Sequence, residues 1–180
     1  MCDEKVVKYG KNIKYDLIVL NNAGFEVKGP LFDTMIAAFL LDPAQRSYSL
    51  DAMCLNLFQH EMTSFSEICG KGKSQITFDM AEVGCATDYA AEDADFTLKA
   101  QYVLAKKLDE FKQTELFNRV EMPLVPVLAK MEETGIKVDI KALRGLSDFF
   151  AKRLAEIEHK IYAMAGEEFN INSTQQLGHI

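Results

Sequence analysis

The chain has 180 residues, 48% of them hydrophobic and 26% charged, enough for one domain and part of a second around a real core. Its formal net charge of -7 excludes a generally basic nucleic-acid binder, so contact with an anionic substrate needs a local cationic patch or bound metal ions. The four cysteines (Cys2, Cys54, Cys69 and Cys85) form no Cys-x-x-Cys pair, which argues against zinc and redox motifs and for reduced thiols, and no apolar run is long enough to span a membrane.

Lys5 to Tyr9, with Val6 and Val7, reads as a short strand broken by Gly10-Lys11-Asn12. Ile13, Leu17, Ile18 and Leu20 then recur at helical spacing, with Asp16 in the first turns and a stop at Asn21 to Gly24. Phe25 to Val27 reads as extended, Gly29-Pro30 as a turn, and Leu31-Phe32 as a strand. Asp33 or Thr34 caps a helix from Met35 to Leu41, closed by Asp42-Pro43. Ser49-Leu50-Asp51 begins a helix that runs to Leu57 or Phe58, and Ser64 caps another to Cys69. Gly70-Lys71-Gly72-Lys73-Ser74 is a flexible basic loop. It lacks the glycine spacing of a phosphate-binding P-loop and reads as a solvated turn, with a backbone-phosphate contact as the other reading.

Asp79 to Ala86 is expected to form a short helix loosened at Gly84. Thr87 or Asp88 then caps a long helix with Phe96, Leu98, Val103, Leu104, Leu108 and Phe111 as its apolar stripe. Tyr89 and Asp93 are four apart and share one face of that helix. A phenol hydroxyl beside a carboxylate can orient a water next to a metal ion, although Tyr-x-x-x-Asp alone also describes an ordinary solvated face. The character changes near residues 112 to 118. Phe117, Val120, Leu124, Val127, Leu128 and Met131 predict a helix carrying Pro123 and Pro126 and stopped by Gly135. Ile136 to Val138 is extended. Asp139 caps a second long helix, Ala142 to about Ala165, with Leu143, Leu146, Phe150, Leu154, Ile157 and Ile161 inside, and Ser173 caps a last one. Lys130, Lys137, Lys141, Arg144, Lys152 and Arg153 meet phosphates or form a solvated face.

Seven stretches carry a resemblance. Asn12-Ile13-Lys14-Tyr15-Asp16 is similar to the second motif of the DnaQ-like 3′-5′ exonucleases, Asn-x-x-aromatic-Asp, and Tyr89-Ala90-Ala91-Glu92-Asp93 resembles the third, Tyr-x-x-x-Asp. Leu31 to Met35 and Gly70 to Lys73 look like the proofreading domain of the bacterial DNA polymerase I family (family A). Glu121 to Leu124, Met131 to Asp139 and Phe169 to Leu177 resemble the opening of that family's polymerase domain. The resemblance covers essentially the whole chain.

It implies an α/β fold: an incomplete ribonuclease H-like (DnaQ-like) 3′-5′ exonuclease domain over residues 1–113, followed by an all-helical segment from the start of the polymerase (thumb) region over residues 114–180. It further implies two-metal phosphodiester hydrolysis with Mg2+ or Mn2+. Asp93 would bind the metal that activates water, Asp16 the metal that stabilises the leaving 3′ oxygen, and Tyr89 would orient the nucleophilic water. Asn12 would help hold the terminal nucleotide or the local backbone, and Tyr15 is implied with it as substrate-binding. Asp33 matches a family position but reads equally well as a helix cap. The implied partners are DNA, as a single-stranded 3′ end and as primer-template, in a bacterial cytoplasmic, nucleoid-associated protein.

The family's first motif, Asp-x-Glu, occurs nowhere in the chain. The chain therefore reads as a piece of a longer protein, with a weak or absent metal site, no nuclease turnover alone, and self-association through exposed strand edges. The alternatives are a stand-alone DnaQ-like 3′-5′ exoribonuclease, which residues 117–177 argue against, and a non-catalytic structural module.

Overall fold

The computed structural model describes residues 2–180 and divides into two compact units, one reaching to Gly135 and the other Ile136–Ile180. The first opens on a β-α-β unit: strand β1 (Lys8–Gly10), helix α1 (Ile13–Asn22) and strand β2 (Leu31–Asp33), the strands parallel with Lys8 opposite Leu31 and Gly10 opposite Asp33. The expected strand through Val6 and Val7 is displaced toward Gly10, and both valines are exposed. The Lys8 ammonium donates to the carbonyls of Asp3, Val6 and Lys28, which holds the residues before the strand in a turn. Gly10 ends the strand instead of breaking it. A Cβ there would meet the Ile13 side chain at 3.0 Å, so glycine lets α1 close directly onto β1. No strand forms at Phe25 to Val27.

Asp33 decides how α1 and the next helix leave the sheet. Its carboxylate is 1% exposed. Oδ1 accepts from the backbone N–H of Met35 (2.8 Å) and Ile36 (3.3 Å), capping α2 (Thr34–Leu41), and also from Asn12 N–H at 3.1 Å. Oδ2 accepts from Ile13 N–H at 2.7 Å. One buried carboxylate thus satisfies the orphan donors that open two helices, and Asn12 adopts a left-handed backbone, φ 59°, to present its N–H.

Ser49 caps α3 (Leu50–Phe58), and a capping box between Ser64 and Glu67 starts α4 (Phe65–Cys69). The basic loop carries a single 3-10 turn, Gly72–Ser74, and another lies at Phe78–Met80. The long helix α5 (Val83–Glu110) begins earlier than expected and without a break. Glu82 is its cap, accepting from Gly84 N–H at 3.0 Å and Cys85 N–H at 2.8 Å. A Cβ at Gly84 would stand 3.0 Å from the Glu82 carboxylate, so the glycine admits this cap instead of loosening the helix. Thr87 donates back to the Val83 carbonyl within the helix. Ala100, Leu104 and Leu108 are its buried stripe. Leu98 and Phe111 are exposed, contrary to expectation.

Residues 114–134 pack onto this first unit, and the compact units part at Gly135. Helix α6 (Thr114–Leu116) leads through one π-helical turn, Phe117–Glu121, into α7 (Met122–Thr134). Pro123 and Pro126 have no N–H to give, and the wider turn accommodates the interrupted ladder. It also shifts the helical phase. Phe117, Met122, Val125 and Ala129 become the buried face, while Val120, Leu124, Val127, Leu128 and Met131, expected inside, are exposed. Phe117 lies 4.7 Å, centroid to centroid, from Phe32 of β2.

In the second unit Asp139 caps α8 (Ile140–Ala165), which ends at Gly166 with φ +82°, and Ser173 caps α9 (Thr174–Leu177). The α8 stripe expected inside is open: Leu143, Leu146, Phe150 and Leu154 are all at least half exposed. One long and one short helix hold too little surface to cover it, and the aromatic contact of Tyr162 with Phe169 closes only its end. The α/β character of the chain therefore rests on the single β-α-β unit, and the rest of the described residues are helix and loop.

Candidate active site

A cleft of about 620 Å³ opens in the first unit where the C-terminal end of β1 faces α3 and α5. The strand and the turn after it supply Tyr9, Gly10 and Lys11. Helix α1 supplies Asp16. Ser49, Leu50 and Asp51 come from the start of α3, and Tyr89, Asp93 and Thr97 from one face of α5. Each side chain is aimed by a local device already described. Gly10 lets α1 close onto the strand, the Ser49 cap fixes the first turn of α3, and Tyr89, Asp93 and Thr97 recur at the i, i+4 spacing of a helix face.

The sequence-predicted Asp16, Tyr89 and Asp93 thus line one cleft, although Asp16 belongs to a different helix from the other two. Asn12 and Tyr15 are not among its lining residues. Asn12 contributes its backbone to the Asp33 cap, and Tyr15 is 66% exposed on α1, on the residue before Asp16. Asp33 is a structural double cap, and its two carboxylate oxygens already accept backbone N–H groups. Two charged lining residues, Asp51 and Lys11, were not singled out in the sequence. Asp51 reads there only as the acidic first turn of a helix, and Lys11 as part of a strand-breaking turn. Their signal is tertiary: neither stands at a helical spacing from Asp16 or Asp93.

The electrostatics of the cleft are those of a site short of positive charge. Burial pushes the Asp93 carboxyl above its ordinary range, and the charges of Asp51 and Glu92 push it further; the Tyr89 hydroxyl and Lys11 work against them. Asp16 is likewise raised, first by burial and then by Asp33, with Lys11 again opposing. Burial, then Asp93 and Asp51, raise the Tyr89 phenol, so it stays protonated at neutral pH and can donate a hydrogen bond. Lys11 is the cation that acts on both carboxylates. A row of rings extends from this end of α5: Phe78 lies 5.9 Å from Tyr89, and Phe65 stacks on Phe78 at 6.2 Å, 25° between planes.

Carboxylate oxygens in an under-neutralised cleft are the donors a hard divalent cation prefers. The set fits such an ion in kind. It does not complete it in number, because among the described residues no group of three or more His, Cys, Asp or Glu is placed to hold a metal ion.

A family model described as 3′-5′ exonuclease matches residues 1–109. The chain is 40% identical over 178 residues to the DNA polymerase I of Rhizobium leguminosarum, covering 99% of this chain and 17% of that protein. It is 38% identical to the DNA polymerase I of Pseudomonas aeruginosa, over 99% of this chain and 20% of the relative. For the DNA polymerase I of Chloroflexus aurantiacus the identity is 42%, over 96% of this chain and 18% of the relative. Among solved structures, the POL domain of Pol1 from M. smegmatis, in complex with DNA primer-template and dNTP, matches with a TM-score of 0.73 at 25% identity, over 98% of this chain and 27% of that one. The chain thus spans a fifth or less of the length of these curated relatives.

Proposed function

Because the chain belongs to the 3′-5′ exonuclease family, we propose that its cleft is part of the proofreading site of a DNA polymerase I, which removes the terminal nucleotide from a single-stranded DNA 3′ end. The observation that carries the reading is the meeting of Asp16, Tyr89 and Asp93, from two helices, in one cleft whose carboxylates are short of positive charge. On this reading the β-α-β unit is a portion of a ribonuclease H-like fold. Residues 1–113 are the later part of the exonuclease domain, and residues 114–180 open the helical part of the polymerase domain, whose substrate is primer-template.

In the mechanism, Asp16 and Asp93 would hold a divalent cation, magnesium or manganese, which would supply Lewis-acid polarisation of the substrate phosphate. Tyr89, protonated, donates to the attacking water and orients it beside Asp93. Lys11 offers the phosphate a counter-charge at the mouth, where a chain of net charge -7 would otherwise repel it. Tyr15, exposed on α1 beside Asp16, is free to meet the terminal nucleotide, while Asn12 serves the local backbone at the Asp33 cap. Phe65 and Phe78 continue from Tyr89 as a surface on which bases stack. Two carboxylates with Asp51 nearby cannot hold two divalent ions against their mutual repulsion, so the chain alone is expected to show no turnover.

The test is digestion of a 3′-labelled single-stranded oligonucleotide in magnesium by the intact polymerase, with Asp16→Ala and Asp93→Ala beside it. The proposal expects each variant to lose trimming by at least about 100-fold while nucleotide incorporation continues. Undiminished trimming by Asp93→Ala would refute it and leave these acidic residues as surface.

A further inference from the structure

Glu92 immediately precedes Asp93 but points away from the cleft, and both of its carboxylate oxygens are engaged by one loop. Oε1 lies 2.8 Å from His60 Nε2, and Oε2 accepts the Thr63 backbone N–H at 2.9 Å. Because Glu92 is an acceptor at both oxygens, the His60 proton sits on Nε2. The imidazole lies flat on Phe96, one turn further along α5, with centroids 4.2 Å apart and 12° between planes. The Lys99 ammonium stands 4.5 Å from the centroid of the same Phe96 ring. Glu92 and Phe96 are four apart and form one face of α5. Tyr89 and Asp93, also four apart, form the adjacent face.

The loop that grips α5 is itself fixed at its origin. Gln59, the C-cap of α3, takes a left-handed backbone with φ 54°, and its N–H closes on α3 carbonyls. Asp51 stands at the other end of α3. The loop from His60 to Thr63 therefore ties the helix carrying Asp51 to the helix carrying Tyr89 and Asp93. The buried apolar residues of α5, Ala100, Leu104 and Leu108, seat its later turns, beyond the turn that carries Tyr89 and Asp93. A carboxylate held at two fixed donors, with a ring stacked beside it, does not slide.

We propose that His60 and Glu92 are positioning residues: the His60–Glu92–Thr63 clasp sets the roll of α5 and so the placement of Tyr89 and Asp93 in the cleft. This rests on the nuclease reading, and touches neither substrate nor cation. Removing the clasp slows the reaction without weakening capture of the DNA end.

The experiment measures kcat and KM for single-strand trimming by the intact polymerase carrying His60→Leu, His60→Gln or Glu92→Gln, with Asp93→Ala as reference and thermal melting of each. His60→Leu is expected to lower kcat by about 10- to 100-fold, the cost of a small misplacement of reacting groups, with KM within about twofold. His60→Gln, which keeps a donor, restores kcat to within about threefold of wild type. Glu92→Gln is nearly isosteric and offers one acceptor for two donors. It reproduces the kcat loss even if His60→Leu does not fold, and it shifts the Thr63 amide proton upfield in the NMR spectrum of the chain. If Asp93→Ala abolishes trimming but His60→Leu and Glu92→Gln keep a wild-type kcat, the clasp is an ordinary loop anchor and the inference fails alone. If Asp93→Ala trims normally, the nuclease reading fails and the clasp with it.

Discussion

Asp93 and Asp16 are placed where their charges oppose folding. Both carboxyls are held above their ordinary value of 3.8, in each case first by burial. Between 3.8 and the raised value the folded chain binds more protons than the unfolded one, so stability falls as pH rises through that window, and the deficit is fully present at neutral pH. Asp93→Asn is therefore expected to raise the melting temperature at neutral pH, with the gain vanishing as pH falls below 3.8. A thermal melt series across pH measures it, and a variant that melts lower at neutral pH would contradict the electrostatics described. The same substitution is expected to abolish trimming, a trade of stability against activity common at catalytic carboxylates. At this scale the sequence was informative where a motif names a residue. Tyr89, Asp93 and Asp16 were singled out by the resemblance of their motifs to those of the exonuclease family, since the four-residue spacing alone also describes a solvated face. All three line one cleft. Asp51 and Lys11 reach the cleft only because α3 and the β1–α1 turn pack beside α5, and no local spacing encodes that. Glu92 was equally silent, since its partners His60 and Thr63 lie outside its own helix.

Helix starts were largely legible, because a cap is a local event. Asp33, Ser49, Ser64, Asp139 and Ser173 each open the helix expected of them. The failures have local physical causes too. Glu82 is an uncommon cap, and it succeeds because Gly84 leaves room for its carboxylate. The π turn at Phe117–Glu121 moves the apolar phase of α7, which a periodicity read from the sequence carries straight through. Asp33 does more than its spacing announced, since it caps α1 as well as α2. Asp33→Ala is expected to cost about 2–4 kcal/mol, two lost caps with buried N–H groups left unpaired, measured by urea denaturation of the chain. A loss below about 1 kcal/mol would mean that α1 and α2 hold their places without it.

As a whole molecule the chain holds one cored unit and one that is mostly open helix. The core of the first depends on the segment after α5. Phe117 is 1% exposed and packs on Phe32, and Phe117→Ala is expected to destabilise that unit by about 3–5 kcal/mol in the same denaturation assay. Wild-type stability would mean that residues 114–134 are dispensable to it. Each strand of the two-stranded sheet has one edge without a strand neighbour among the described residues, and α8 exposes an apolar stripe. Self-association at high concentration is the expected consequence, read as a mass above the monomer in light scattering; a monomer throughout would count against it. The change of character after α5 is visible in the sequence, whereas the packing of residues 114–134 on α1 and β2 is not, because those partners lie far back in the chain. The central claim is that Asp16 and Asp93, on different helices, form one cation-binding cleft. Manganese titration of the isotope-labelled chain, followed by paramagnetic broadening of its amide signals, tests it most directly. The account predicts that amides near Asp16, Asp51 and Asp93 broaden together and first, and that Asp93→Ala abolishes the effect at Asp16 as well. Broadening scattered over surface carboxylates, with the cleft untouched, would contradict it.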